Sequence, residues 1–215
     1  MIFGTGPFAE CAQFLFDADS DFDPVAFTVH GEYVDRAELR GLPVVPFEEA
    51  VERFPPGEHA LFVAVGARDV NRLRAGICAE AKDQGYELPT YVSSRATTWP
   101  DLSVGENSFV FEDNTIQPFA QIGDDVVLWS GNHIGHHSTI GDHCFVTSHV
   151  VVSGNVRVGP YCYLGINASI RDGIELGEGC VIGAGAVVMR STGEREVYLG
   201  PRATRDERTS DDVRL

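Results

Sequence analysis

Lysine is almost absent from this chain: one residue, Lys82, in 215, against 32 aspartates and glutamates. The formal net charge is −16 at pH 7, which excludes the basic face that a nucleic-acid binder needs. The acidic residues are spread along the chain and read as a solvated, mutually repelling surface. Any anionic ligand must therefore be held by arginine or by backbone amides. No apolar run approaches the roughly eighteen residues of a membrane span, and no leader-like segment precedes the first motif, so a cytoplasmic location is expected. The five cysteines lack zinc or disulfide spacing, so no metal and no disulfide framework are expected.

What the chain does have is a repeat. Steps of six from Val104 to Val188 land on Val, Ile or Leu at all fifteen positions, with no insertion or deletion. The next position is glycine in eight of them: Gly105, Gly123, Gly135, Gly141, Gly159, Gly165, Gly177 and Gly183. Four residues after each aliphatic position the side chain is usually small or aliphatic, as at Ser108, Ala120, Ser138 and Cys144. A period of six is the hexapeptide signature of a parallel β-helix, three hexads to a triangular coil, here about four and two-thirds coils. The aliphatic residue points inward, the small residue shares the interior, and the glycine is expected to supply the corner's backbone conformation. The eighteen-residue step stacks Cys144, Cys162 and Cys180 in one interior column as small fillers, and buried thiols are poor nucleophiles. Cys11 and Cys78 lie in helical stretches and are expected in the core.

Before the repeat, strands alternate with helices, which predicts a small parallel α/β sheet. Strands are expected at Met1–Phe3, Val25–Val29, Leu42–Val45, Leu61–Val65 ahead of Gly66, and Thr90–Val92. Helices are expected from Pro7 to about Phe16, Phe47 to Phe54 and Asp69 to Gln84. The domain division is thus residues 1–98 Rossmann-like, 99–203 β-helix, and 204–215 a mobile polar tail. Ser191–Val197 reads as a loop leading off the prism and Tyr198–Ala203 as a return strand and turn.

The opening Gly4-Thr5-Gly6-Pro7-Phe8-Ala9 is G-x-G-x-x-A between a strand and a helix, which suits a phosphate cradle. A dinucleotide site also expects an acid at the end of the second strand. That place holds His30, which favours a mononucleotide or nucleotide sugar over NAD, with a ligand-free Gly-rich turn as the alternative.

Of seven histidines, five fall between 133 and 149. His137, His143 and His149 are the fourth residues of successive hexads, so they occupy three different corners and cannot share a metal within one protomer. A zinc site shared between subunits is the alternative. His136 lies near a corner where side chains project outward, and eighteen residues on, directly over it, is Gly154. An imidazole beside a reachable backbone amide is the pair a base-assisted acyl transfer needs, with a plain surface corner histidine as the alternative.

These motifs together resemble the sialic acid O-acetyltransferase (NeuD-like) family, which includes nucleotide-amino-sugar N-acetyltransferases. The resemblance runs from Met1 to about Ala203 and rests on Gly4–Glu10, Gly41-Leu42-Pro43-Val44, Asn132-His133 leading into His136, Ser153-Gly154-Asn155-Val156, Ile182–Val188 and Gly200-Pro201-Arg202-Ala203. It implies a homotrimer whose acetyl-CoA lies along the β-helix in a cleft between two subunits, with direct attack of an amine or hydroxyl on the thioester. The sugar or nucleotide-sugar acceptor would meet Gly4, Gly6, Pro7, Phe8, His30 and Gly66. The catalytic set would be His136, His137 and Gly154. The coenzyme would pass Asn155, Gly165, Asn167, Gly183, Gly185 and Arg202, with Arg190 and Arg205 as further cations for its phosphates.

Three departures accompany the resemblance. The family has Asp or Glu directly after the catalytic histidine where this chain has His137, which leaves His136 or His137 as the base. It often has Asp where this chain has His30, and the first strand is short. Two rival readings are a metal-dependent hydratase on a trimeric β-helix and a sugar-nucleotide-binding homologue without activity.

Overall fold

The computed structural model describes residues 1–209 and residue 211. The expected α/β sheet is built from β1 (Ile2–Phe3), β2 (Phe27–Val29), β3 (Glu38–Leu39), β4 (Leu42–Pro46) and β5 (Phe62–Val63). Their order is β3-β4-β2-β1-β5. All pairs are parallel except β3 with β4, a hairpin the apolar pattern does not reveal. Its two-residue turn, Arg40-Gly41, has φ of 48° and 82°, the left-handed pair that a tight hairpin requires. The helices are α1 (Pro7–Asp19), α2 (Phe47–Arg53) and α3 (Arg72–Asp83). α3 starts three residues later than expected because Asp69, Val70 and Asn71 all take positive φ.

The strand expected over 90–92 does not belong to this sheet. Tyr91–Val92 (β6) pairs in parallel with Phe109–Val110, eighteen residues ahead of which it stands, and so it opens the prism. From there the chain coils as a left-handed β-helix. One face stacks the rungs Ser103–Val104, Gln121–Ile122, Thr139–Ile140, Arg157–Val158 and Glu175–Leu176. A second stacks Tyr91–Val92, Phe109–Val110, Val127–Leu128, Phe145–Val146, Tyr163–Leu164 and Val181–Ile182. The third stacks Thr115–Ile116, His133–Ile134, Val151–Val152, Ser169–Ile170 and Val187–Val188. Every aliphatic hexad residue from Val110 to Val188 is buried, and full burial of each such side chain is worth about 1.5–3 kcal/mol.

The glycines serve the corners differently from expectation. The left-handed residue is the fourth of the hexad, with φ of 51–65° at Asn107, Asp113, Phe119, Asp125, His137, His143 and His149. Asn, Asp and His tolerate that region better than most side chains, which also explains part of the histidine clustering. The glycine that follows the aliphatic residue is needed for close approach instead. A Cβ on Gly135 would lie 2.5 Å from the Gly154 nitrogen, and one on Gly141 2.8 Å from the Pro160 nitrogen.

Cys144, Cys162 and Cys180 fill one interior column as expected, each fully buried. Their sulfurs lie 3.2, 3.2 and 3.0 Å from the carbonyl oxygens of Gly159, Gly177 and Gly193, so each also ties its coil to the next. Cys78 is buried on α3, but Cys11 is exposed, against expectation, because it falls on the outer face of α1. Burial pushes the Cys78 and Cys144 thiols up. The chain after Ser191 continues the prism and does not leave it. Thr192 N donates to Glu175 O at 2.9 Å, and Val197–Tyr198 forms another parallel rung on Val181–Ile182. No return strand forms among residues 199–209. The expectation of a mobile tail falls in part on Ser210 and residues 212–215, outside the described residues.

The α/β unit sits on the second face. The outward side chains of that face, Tyr91, Phe109, Val127 and Phe145, share a core with Phe8, Phe16 and Phe62. Beside it lies a polar weld. Arg74 of α3 is fully buried and its Nε donates to Asp125 Oδ1 at 2.7 Å, while Nη2 donates to the carbonyl oxygens of Asp125 and His143 at 2.9 and 3.0 Å. Asn107 Nδ2 donates to Asp125 Oδ1 at 2.8 Å, and His143 Nδ1 stands 2.9 Å from Asp125 Oδ2. At the far end of α1, Asp19 accepts from Ser94 N at 2.9 Å and Tyr91 Oη at 2.8 Å. Those hydrogen bonds, Ser94's first, hold the Asp19 carboxyl down at about 2.

Two outcomes follow from this packing. Arg74→Ala strands the buried Asp125 charge and should cost about 3–5 kcal/mol, read from the urea unfolding midpoint. A loss below about 1 kcal/mol would show that the weld is not buried as described. In the native protein a thiol reagent should titrate only Cys11, and all five cysteines in denaturant. Fast native reaction of Cys144, Cys162 or Cys180 would contradict the interior column.

Candidate active site

The third face turns into the first through a corner that carries His136 and His137, both exposed. The next coil passes close over this corner. A Cβ on Gly154 would stand 2.7 Å from both Cε1 and Nε2 of His136, so only glycine admits the imidazole where it lies. Ser138 fixes the overlying loop: its Oγ donates to Ser153 O at 2.8 Å and accepts from Val156 N at 3.0 Å. Ser138 was missed as a functional support, since the repeat reads it only as a small interior residue. The Gly154 N–H has no acceptor among the described residues. The corner therefore sets an imidazole edge beside Gly154, whose backbone donor is unpaired among the described residues.

The other side of the ring is occupied. His136 Nδ1 lies 3.1 Å from His137 Nδ1, and the His136 amide donates to Gln117 Oε1 at 2.9 Å. The His137 ring rests against Phe119, centroids 4.7 Å apart. Its backbone amide donates to Pro118 O at 3.3 Å. His136 thus presents Nε2 toward Gly154 and Nδ1 toward its neighbour.

His137, His143 and His149 stand at three separate corners, as the hexad count expects. No group of three or more His, Cys, Asp or Glu side chains converges as a metal site would among the described residues. His143 is taken up by Asp125, and the His149 ring lies over Gly131, whose Cβ position is 2.6 Å from it.

The proposed acceptor residues gather at the carboxyl ends of adjacent strands. The order β2-β1-β5 makes β1 the point from which the chain crosses to either side, where open α/β sheets bind ligands. Gly4 follows β1 with φ of 123°, and a Cβ there would be 2.8 Å from Ala64 O. Gly6 precedes α1 and Pro7 is its first residue, both exposed. Gly66 is exposed beyond β5. Phe8 faces inward, at centroid distances of 5.5 Å from Phe109 and 5.8 Å from Trp129. His30 at the end of β2 has its Nε2 3.0 Å from Glu80 Oε2 and its ring edge-on to Phe3 and Phe47. A cavity of about 590 Å³ runs from the start of α1 to the prism, lined by Pro7, Glu10, Arg40, Trp129 and Ser130 among others. Nothing in the sequence marks it, because its lining comes from α1, the β3–β4 turn and two successive coils of the prism.

The proposed coenzyme residues divide between two corners. Asn155 stands one coil above His137, with φ of 57°. Gly165, Asn167, Gly183 and Gly185 lie at the corner between the second and third faces. Of these Asn167 is exposed, Gly185 has open space at its Cβ position, and Gly165 is covered by the next coil 2.6 Å away at Ala184 N. Arg190, Arg202 and Arg205 are exposed.

Comparison with known proteins agrees with this architecture. Residues 119–154 and 155–190 match the family model "Bacterial transferase hexapeptide (six repeats)". No curated protein matches the chain by sequence. Among solved structures, a variant of perosamine N-acetyltransferase from Caulobacter crescentus in complex with CoA and GDP-perosamine is 27% identical, with a TM-score of 0.84 over 93% of this chain and 92% of that one. The acetyltransferase domain of PglB from Neisseria gonorrhoeae FA1090 is 23% identical, with a TM-score of 0.81 over 93% and 95%. WeeI from Acinetobacter baumannii AYE is 19% identical, with a TM-score of 0.73 over 93% and 95%, a likeness of fold. The resemblance to the hexapeptide-repeat sugar acetyltransferases, read first from the sequence, thus holds across both halves of the chain.

Proposed function

We propose that this protein is an acetyl-CoA-dependent N-acyltransferase acting on the amino group of a nucleotide-linked sugar. The observation that carries the reading is the His136 ring held against Gly154, whose N–H is unpaired among the described residues. The similarity to an enzyme crystallised with CoA and GDP-perosamine supports the substrate classes. In this reading His136 Nε2 removes the proton from the sugar nitrogen as that nitrogen bonds to the thioester carbon. The Gly154 N–H donates to the oxygen as it gains charge. His136 returns the proton to the coenzyme sulfur as the carbon–sulfur bond breaks. The products are the amide and the free thiol, and no acyl-enzyme is required.

The working unit is a homotrimer. Within one chain the base and the coenzyme glycines Gly183 and Gly185 lie at different corners, separated by the third face. A second copy can present its Gly183–Gly185 corner to the first copy's His136. The acceptor loop at Gly4 and Gly6, with the Trp129 cavity leading from it, opens beside that same coenzyme corner. Asn155, Asn167 and Arg202 are the polar groups available to the coenzyme, and His30 and Gly66 edge the nucleotide end of the acceptor.

The test is release of free thiol from acetyl-CoA with a panel of nucleotide-linked amino sugars and free sialic acids. An amino sugar nucleotide should turn over, and His136→Ala should lower kcat by about 10²–10⁴. Full activity in that variant would remove His136 as the base. Gly154→Ala should leave the unfolding midpoint unchanged, because its Cβ displaces only the ring, yet lower kcat at least about tenfold. Unaltered kcat would mean that the ring's position against Gly154 is not used.

A further inference from the structure

The only hydrogen-bonding contact of the His136 ring among the described residues is another imidazole nitrogen, His137 Nδ1 at 3.1 Å. A bond between two such nitrogens needs a proton on one and a lone pair on the other. It therefore sets the tautomer of both rings at once. If His137 donates, His136 carries its proton on Nε2 and that nitrogen cannot accept another. If His136 donates, its Nε2 is left bare on the side that faces Gly154. We propose that His137 is a positioning residue: its Nδ1 accepts from His136 Nδ1–H and holds His136 in the tautomer with Nε2 free for the acceptor's proton. This inference rests on the acyl-transfer reading in which His136 is the base.

Several features hold His137 in place. It sits at a left-handed corner with φ of 59°, its amide bonds to Pro118, and its ring lies against Phe119. The two rings meet nearly perpendicular, at 86°, so the contact is T-shaped and not a stack. Nothing on the Nε2 side competes, since no acceptor reaches that nitrogen among the described residues. When His136 takes up a proton its Nδ1–H stays bonded to His137, which remains neutral and keeps its own proton on Nε2. An uncharged acceptor orients the imidazolium but stabilises its charge less than a carboxylate would.

The corner also supplies safe substitutions. The same position two coils on is Gly173, with φ of 69°, so His137→Gly removes the ring without straining the backbone. His137→Asp keeps a residue that tolerates the left-handed region and returns an acceptor. The experiment is a long-range ¹H–¹⁵N spectrum of the histidine rings in the unliganded protein at alkaline pH, with His136 assigned by its loss in His136→Gln. Wild type should show His136 protonated at Nδ1 and bare at Nε2. In His137→Gly the His136 proton should move to Nε2, and kcat should fall about 10- to 100-fold, less than loss of the base itself, with both KM values within about twofold. His137→Asp should restore the Nδ1–H form and a kcat at least equal to wild type. An Nε2–H form of His136 in wild type, or a tautomer and kcat unmoved by His137→Gly, overturns the proposal. Should wild type acylate no sugar while the spectra agree, the functional reading falls and the hydrogen-bond assignment stands.

Discussion

Backbone hydrogen bonds from each coil to the next, such as Gly135 N to Val152 O and Asn155 N to His136 O at 2.8 and 2.9 Å, determine where every other group in the prism stands. They require the chain to return to the same corner after eighteen residues. A corner then has three needs: an inward aliphatic side chain, a glycine or other accommodating backbone where the next coil presses down, and a residue that accepts positive φ. The candidate site is this same construction with one outward imidazole added. Gly135 lets the Ser153–Gly154 segment descend, Ser138 pins it from inside, and Gly154 leaves room for the His136 ring. The pairing of imidazole and backbone donor thus costs the fold little beyond what its corners already demand.

The second constraint is the burial of Arg74 and Asp125 between the α/β unit and the prism. A buried ion pair is weak evidence of net stability, because desolvation offsets much of the attraction. Its bonds are directional, however, and Arg74 also binds carbonyl oxygens of two successive coils. Sliding the helix by one rung would leave those charges without partners. The weld therefore fixes the height of the Gly4–Gly6 loop along the prism. In the proposed trimer that height decides which part of the acceptor reaches the neighbouring His136.

Much of the prism was legible in the sequence because a strict period of six leaves one geometry open. Its corners, the cysteine column and the overlap of Gly154 with His136 all follow from counting. The glycines were misread because the sequence shows which positions are glycine but not whether φ or clearance requires it. Cys11 was misplaced because one cysteine on an amphipathic helix does not show which side faces inward. Tyr91 precedes the unbroken repeat, so the pattern does not join it to the prism, although it stands eighteen residues before Phe109. Val197 eluded the count for the opposite reason: its rung pairs sixteen residues after Val181, so the last coil is two residues short. The Arg74–Asp125 weld and the contact of His136 with His137 were invisible because they depend on side-chain direction.

In the proposed trimer, His136 of one chain serves an acceptor amine placed by the α/β unit of another. A structure of the protein with CoA and a nucleotide-linked amino sugar tests it most directly. The expected result is a three-fold assembly with the sugar nitrogen within about 3.2 Å of His136 Nε2 and the nucleotide at Gly4 and Gly6 of the adjoining subunit. A sugar nitrogen lodged against any other side chain, with His136 open to solvent, would contradict it.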